Sequence, residues 1–166
     1  MDPAEAEPRR GLPAREPADH EVAAGAIGGL TGAVVMWLPA MLVSPPEVGA
    51  LFPLRLVAAS ILGPSALDSD AGAFAALLGA MLAALVAVLG GLVFVSILPQ
   101  SATSLPAVAA GAAYGAVLFG PAWYGLVRVA DPILYAAGLE RPMFALHVVY
   151  GAMLGLQVPF LRKVMP

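Results

Sequence analysis

The sequence contains no cysteine among its 166 residues. This absence excludes disulfide bonds, thiolate metal sites and cysteine nucleophiles. Charge is also scarce, because Asp, Glu, Lys and Arg make up 11% of the chain, against about 25% in a soluble domain. The formal net charge is −3, and most of the acidic residues lie within the first 21 positions. No basic surface is left for a nucleic-acid partner, and we predict none.

Common catalytic and binding motifs are missing as well. The chain lacks a P-loop, a dinucleotide-binding glycine pattern, a Ser/His/Asp set and a cluster of metal-ligand residues. Its acidic residues lie in the N-terminal tail and in loops rather than inside apolar runs. Secondary transporters usually carry charges or broken helices within the membrane. We therefore predict a protein that is not an enzyme, and nothing in the sequence requires a cofactor.

Long apolar runs are what the sequence has in abundance. Hydrophobic residues make up 60% of the chain, and the mean hydropathy is +0.88. An uncharged apolar run of about 18 or more residues is typical of a membrane span. The chain contains four such runs, which predict an all-α polytopic membrane protein, a bundle of four transmembrane helices within residues 22–163. The predicted spans are residues 22–43, 71–98, 106–130 and 143–161.

Two segments outside these spans have a different character. Residues 1–21 are rich in Pro, Ala, Glu and Arg, a composition that predicts a disordered tail. Residues 44–70 are apolar but include Pro53, Arg55 and Pro64. An arginine at the bilayer centre costs about 2.5–3.5 kcal/mol on insertion scales. We therefore predict an interfacial or re-entrant helix, rather than a fifth span, between spans one and two.

The distribution of Lys and Arg predicts the orientation. An even number of spans places both termini on one side, and cytoplasmic segments carry more Lys and Arg. The side of the termini holds Arg9, Arg10, Arg15, Arg162 and Lys163, and the other side holds Arg55, Arg128 and Arg141. Both termini are thus expected in the cytoplasm, with the chain in the cytoplasmic membrane of a bacterium or archaeon. The short connection "PQSATSLP" predicts that spans two and three are antiparallel neighbours.

Glycines recur at four-residue spacing in three of the predicted spans. Small residues at this spacing let the backbone of a neighbouring helix approach closely. We therefore predict helix-packing contacts at these positions, and we expect the bundle to be held mainly by close backbone packing. The glycines concerned are Gly25, Gly28, Gly29, Gly32, Gly111, Gly115, Gly151 and Gly155.

His147 is the one histidine within an apolar run, in the stretch "ALHVVYGAMLG". At 100° per residue it shares a helix face with Tyr150 and Gly151, so it is expected to face protein rather than lipid. A polar cluster of His147, Tyr150, Tyr114, Arg128 and Asp131 is predicted. Three roles are open for His147: a hydrogen bond to a neighbouring helix, a proton or ligand site, or an axial ligand that binds a haem or pigment cofactor.

Aromatic residues and Pro121 add two further expectations. Trp37, Trp123 and Tyr135 are predicted to be interfacial anchors. Pro121 lies inside the third span, where a proline removes one backbone hydrogen bond. The alternative interpretation of this region is a carbonyl group, freed by Pro121, that lines a cavity.

The order of these features resembles small four-span bacterial and archaeal membrane proteins, the YagU-like and related uncharacterised families. The resemblance covers about residues 22–160. Its motifs are "AGAIGGLTGAVVM", "LFPLRLVAASILG" before span two, "GAAYGAVLFG" in span three and "HVVYGAMLG" in span four. It implies a four-helix bundle and no known reaction.

Abundant small-residue faces with almost no polar interior lead to the functional expectation. The chain is predicted to be a non-catalytic accessory or structural subunit, packed in the lipid bilayer against other membrane subunits of a larger complex such as an electron-transfer chain. One alternative is a small homo-oligomeric channel or carrier whose path His147 and Tyr150 line. The other is a haem- or pigment-binding subunit that uses His147.

Overall fold

The computed structural model describes residues 17–164, and this part of the chain is helical without strands. Four helices are long and apolar enough to cross a membrane: Asp19–Leu42, Gly72–Ile97, Ser104–Ala130 and Glu140–Val164. The predicted all-α four-helix membrane fold is confirmed. The α-helices are α1 (Pro17–Leu42), α2 (Phe52–Leu62), α3 (Gly72–Ile97), α4 (Ser104–Gly120), α5 (Arg128–Ala130), α6 (Pro132–Ala136) and α7 (Glu140–Val164).

The first helix begins earlier than the sequence indicated. Residues 17–21 were assigned to the disordered tail, but α1 starts at Pro17. Asp19 lies in its first turn, where a negative charge interacts favourably with the helix dipole. Glu21 forms an ion pair with Arg162, so this end of α1 is held by a tertiary contact. The remainder of the predicted tail, residues 1–16, lies outside the described residues.

The helix α2 is too short to cross a membrane, as predicted for this segment. Its 11 residues extend about 16 Å, and 3₁₀ turns at Gly63–Leu67 and Ser69–Ala71 lead into α3. α2 packs against α3 so closely that a Cβ atom at Gly79 would collide with the carbonyl of Leu54. Arg55 donates from Nε to the carbonyl of Ala66, at 3.0 Å, and from Nη2 to that of Asp68, at 2.8 Å. Arg55, whose charge argued against a fifth span, is thus held by hydrogen bonds to the turn that follows α2.

Two antiparallel helix pairs form the bundle, each closed by a seam of small residues. In the α1–α3 pair, a Cβ at Gly25 or Gly29 would meet the backbone of α3 around Gly91 and Ala87. In the α4–α7 pair, Gly111 and Gly115 oppose Gly151 and the carbonyl of His147, and Gly155 opposes Ala107. Helix association in lipid depends on close packing of this kind.

The remaining two predicted glycines join the pairs to each other. A Cβ at Gly28 would meet Leu154 and Val158, and one at Gly32 would meet the ring of Tyr150. All eight predicted glycines therefore lie at helix contacts. Spans two and three, predicted to be neighbours, contact each other through the hydrogen bond from Tyr114 to Gly90. Their main partners differ, because α4 packs mainly on α7 and α3 packs mainly on α1 and α2.

Trp123 is only 2% exposed, so the prediction of an interfacial anchor is wrong for this residue. After Pro121 the third span continues as a π-helical segment, Pro121–Val127, before α5. A wider turn changes the direction of the side chains that follow, and such segments often occur at functional sites. Trp123 packs between Phe119 and Tyr135, with ring centroids 5.9 and 5.8 Å away.

At the end of the bundle that holds the termini, Arg162 links three helices. Its guanidinium donates to Oε2 of Glu21 on α1, at 3.0 Å from Nε and 2.7 Å from Nη2. It also donates to the carbonyls of Val95 at 3.0 Å, Leu98 at 3.2 Å and Pro99 at 3.1 Å, where α3 ends. Helix ends leave such carbonyls without intrahelical partners. Arg162 thus ties α1, α3 and α7 together, and we call this group the arginine clamp.

Candidate functional site

The candidate site is a cavity of about 300 Å³ in the half of the bundle opposite to the termini. A cavity of this size lies at the lower end of the range for small-molecule sites. Residues from α1, α2, α3, the third span, α6 and α7 line it. We call it the lateral cavity.

The exposed lining residues indicate that the cavity opens sideways, between α3 and the third span. Val86 and Leu126 line it from these two walls and are 53% and 56% exposed. The gap exists because α3 packs on α1 and α2, whereas α4 packs on α7. Val86 lies near the middle of α3. In a membrane that the four helices cross, Val86 would lie in the hydrocarbon region, whereas Leu126 lies near the end of the third span.

Most of the lining is apolar, and its polar groups are few. They are the side chains of Ser60, Asp131, His147 and Tyr150 and the indole groups of Trp37 and Trp123. Trp123 and Ala122 belong to the π-helical segment that begins at Pro121, so this segment contributes to the cavity wall. In the part of the chain that the structure describes, no group of three His, Asp or Glu residues could hold a metal ion.

His147 bonds to its own helix rather than to a neighbouring one. Its Nδ1 lies 2.7 Å from the carbonyl oxygen of Met143, and its ring meets the edge of Phe119 with centroids 5.4 Å apart. A carbonyl oxygen can only accept, so Nδ1 carries the hydrogen in this contact. The other ring nitrogen, Nε2, is left as an acceptor. The expected hydrogen bond between His147 and another helix is replaced by this intrahelical one.

Two tyrosines connect the α4–α7 pair to α3. Tyr150 Oη donates to the carbonyl of Ala87 at 2.6 Å, and Tyr114 Oη donates to that of Gly90 at 2.8 Å. A Cβ atom at Gly90 would collide with the hydroxyl of Tyr150, so the absence of a side chain there makes room for it. The hydroxyl of Tyr150 is buried and that of Tyr114 is partly buried, and both are hydrogen-bonded.

We expect Tyr150→Phe to lower the free energy of unfolding by about 1 kcal/mol, because hydrogen bonds of this kind contribute roughly 0.5–1.5 kcal/mol. Tyr114→Phe should cost no more, since Tyr114 is less buried. Tyr124→Phe is the matched control, because Tyr124 is exposed and bonds to Glu140 at the surface. Denaturant titration in mixed micelles measures all three. Equal stability of the Tyr150 and Tyr124 variants would contradict the assignment.

Asp131 is 4% exposed and begins α6. Its Oδ1 accepts a hydrogen bond from the backbone N–H of Leu134 at 3.0 Å. Burial raises the pKa of Asp131, and the hydrogen bond from Leu134 offsets part of the rise. In the described part of the chain, no ion pair joins Arg128 to this carboxylate; the Arg128 guanidinium lies 6.0 Å from the ring centroid of Tyr135. The predicted polar cluster is therefore divided. Asp131, His147 and Tyr150 line one cavity, whereas Tyr114 and Arg128 do not.

The raised pKa of Asp131 predicts a pH dependence. Its contribution to stability is fully present below its ordinary pKa of 3.8 and is lost as the pH rises through the higher folded value. Asp131→Asn removes this titration and keeps an acceptor for Leu134. We expect the wild-type thermal midpoint to fall relative to that of the Asn variant as the pH rises above the ordinary value of 3.8. A difference that stays constant with rising pH in detergent solution would contradict the prediction.

Some contributors to the site escaped sequence reasoning. Nothing in the sequence indicated that Ser60 and Trp37 line the same cavity, because they lie on different helices that only tertiary packing brings together. Gly79, Gly90 and Gly91 lie in the second span, and their contacts with Leu54, Tyr150 and Gly25 depend on which helix lies opposite.

Comparison with known protein-family models, characterised proteins and solved structures finds no match to this chain.

Proposed function

We propose that this chain is a non-catalytic membrane protein that binds a lipid-like molecule, which enters the lateral cavity directly from the bilayer. The carrying observation is the sideways opening between Val86 and Leu126. An apolar chain passing through that opening stays in an apolar environment throughout. A few polar groups at the wall can then fix one end of the molecule, as in most small-molecule sites.

The packing of the helices supports this proposal over a channel. A path for ions needs polar groups or water along its whole length. The seams between α1 and α3 and between α4 and α7 leave no room even for a methyl group. The hydroxyls of Tyr114 and Tyr150 bond to α3, and the arginine clamp occupies the end of the bundle at the termini. A closed interior fits a binding site with one mouth.

One observation favours a second candidate, a pigment- or haem-binding subunit. The hydrogen bond from Nδ1 of His147 to Met143 orients the ring and leaves Nε2 as an electron pair donor, as in many metal-ligating histidines. Purification in mild detergent tests this candidate directly. A visible absorbance band lost in His147→Gln would support it, whereas a colourless and fully folded protein would contradict it. Co-purifying membrane subunits in the same preparation would support the accessory role.

Binding from the bilayer can be followed with the protein's own fluorescence. The chain contains two tryptophans, and both line the lateral cavity. In Trp37→Phe, Trp123 is the sole reporter, and with 2% exposure it has little contact with bulk lipid. Lipids brominated along their chains quench tryptophan on contact. We expect a single-chain lipid brominated in this way, added to liposomes of unbrominated phosphatidylcholine, to quench Trp123 strongly.

Two substitutions by phenylalanine supply the control for this measurement. Ala83→Phe places a large ring in the cavity, which Ala83 lines. Ala109→Phe places the same ring at an exposed position on α4 that does not line the cavity. Quenching should be lost in the first variant and retained in the second. Equal quenching in both variants, or none in the parent protein, would contradict the proposal.

The orientation is also part of the proposal. We place both termini in the cytoplasm on the Lys and Arg distribution, with Arg162 and Lys163 at the end of α7. Reporter fusions near residue 101 and after Lys163 should both report the cytoplasm, and one at Asp68 should report the opposite side. Different compartments for the first two sites would contradict the four-span arrangement.

A further inference from the structure

Most polar hydrogens on the side chains that line the lateral cavity are already donated in hydrogen bonds within the protein. Ser60 Oγ donates to the carbonyl of Val57 at 2.8 Å. Tyr150 Oη donates to that of Ala87, and the Nδ1–H of His147 is directed to that of Met143. A hydroxyl or a neutral imidazole has one such hydrogen. Towards a bound molecule, these three side chains therefore offer lone pairs only.

Asp131 adds to this acceptor character. Its Oδ1 receives the N–H of Leu134, and a carboxylate has further acceptor capacity on both oxygens. Among the described residues, no lysine or arginine lines the cavity. Three arginines lie on this side of the bundle: Arg55 bonds to the carbonyls of Ala66 and Asp68, Arg128 lies near the ring of Tyr135, and Arg141 is not part of the cavity lining.

The indole groups supply the complementary donors. Trp37 and Trp123 line the cavity, and an indole N–H can only donate. Neither indole has a hydrogen-bond acceptor among residues 17–164. Within the range that the structure describes, no fully buried side-chain nitrogen lacks a hydrogen-bond partner, so both indole nitrogens remain accessible to a small molecule. A ligand that can accept as well as donate would use these donors together with the acceptors.

We infer that the molecule bound in the lateral cavity is a neutral lipid alcohol, with a hydroxyl as its polar end. This inference rests on the proposed function and specifies its ligand class. A hydroxyl donates to one of the acceptor groups and accepts from an indole N–H. A fatty acid or a phospholipid phosphate brings a negative charge to a site with a carboxylate and no cation. An ester or a quinone can only accept, so it leaves the acceptors unmatched.

Three probes of equal chain length and identical mid-chain bromination separate these classes: a fatty alcohol, the corresponding fatty acid and its methyl ester. Each is added to the Trp37→Phe protein in liposomes of unbrominated phosphatidylcholine at neutral pH, and quenching of Trp123 is recorded against its mole fraction. We expect the alcohol to reach half-maximal quenching at a mole fraction about tenfold lower than the other two, which corresponds to about 1.4 kcal/mol. The same series in Ala83→Phe gives the background from bulk lipid.

Asp131→Asn is the matched variant, because it keeps an acceptor for Leu134 and adds an amide N–H. It should reduce the preference for the alcohol over the ester severalfold, since the amide can donate to the ester carbonyl. Equal quenching by all three probes, lost in Ala83→Phe, would overturn the alcohol assignment and leave the proposed binding function standing. Stronger quenching by the acid would also overturn the assignment. Quenching no greater than in Ala83→Phe for every probe would overturn both.

Discussion

Gly151→Ala should lower the free energy of unfolding by about 2–3 kcal/mol, although it adds a single methyl group. The Cβ atom would meet the carbonyl of Gly111 and the amide nitrogen of Gly115 on the opposing helix. These are backbone atoms, so no side-chain rotation can relieve the overlap, and α4 and α7 must separate. Helix association in lipid lacks a hydrophobic gain that would compensate for lost contact. Unfolding in mixed micelles measures the loss.

Two control variants isolate the effect of the seam. Gly125→Ala lies in the same span as Gly111, but its Cβ would meet nothing within 4 Å. It should leave stability unchanged or raise it by about 0.5–1 kcal/mol, because alanine restricts the unfolded chain more than glycine does. Leu156→Ala removes a larger group from a half-exposed position on α7 and should cost less than Gly151→Ala. Equal effects at all three positions would show that the seam does not hold the bundle.

Arg162→Met should destabilise the bundle by about 2 kcal/mol, because hydrogen bonds to charged groups contribute roughly 1.5–3 kcal/mol. The substitution leaves the carboxylate of Glu21 and three carbonyls at the end of α3 without their donor. Arg162→Lys keeps the charge but lacks the fork of five N–H donors. We expect lysine to restore less than half of the loss.

A double-mutant cycle with Glu21→Gln separates the two parts of the arginine clamp. The side chains of Arg162 and Glu21 are 13% and 27% exposed, so their ion pair is partly shielded from salt. The coupling energy should decrease as ionic strength rises, whereas the contribution of the carbonyl contacts should not. If Arg162→Met is as stable as the wild type, the clamp is a surface contact without energetic importance.

Sequence reasoning identified the spans and the packing glycines, but not the pairing of the helices. An uninterrupted apolar run shows directly how long a helix is and that lipid surrounds it. Glycines at four-residue spacing, such as Gly25 and Gly29, mark helix faces that another backbone can approach closely, as do those that begin at Gly111 and Gly151. Which helix face packs against which is determined by the tertiary structure. α3 is apolar around its whole circumference, with exposed residues such as Leu77 and Val93, so its pattern does not separate lipid-facing from protein-facing sides.

Only part of the candidate site could be predicted from the sequence, for a related reason. His147 and Tyr150 were selected because polar groups within an apolar run need partners, and both line the lateral cavity. Their hydrogen-bond partners are backbone carbonyls, which a sequence cannot distinguish from one another. The burial of Trp123 depends on the π-helical segment. Pro121 predicts that the helix is irregular at this point, but it does not predict a π-helix.

The division of the bundle into two glycine-sealed pairs has a consequence for biogenesis. α1 and α3 lie within residues 17–97, and α4 and α7 lie within residues 104–164. Each pair can therefore close as soon as its second helix leaves the ribosome and enters the bilayer. The first half need not wait for the second, since its seam uses no residue beyond Val95. Docking of α7 on α1 is then the last step, and it is also the step that completes the wall of the lateral cavity.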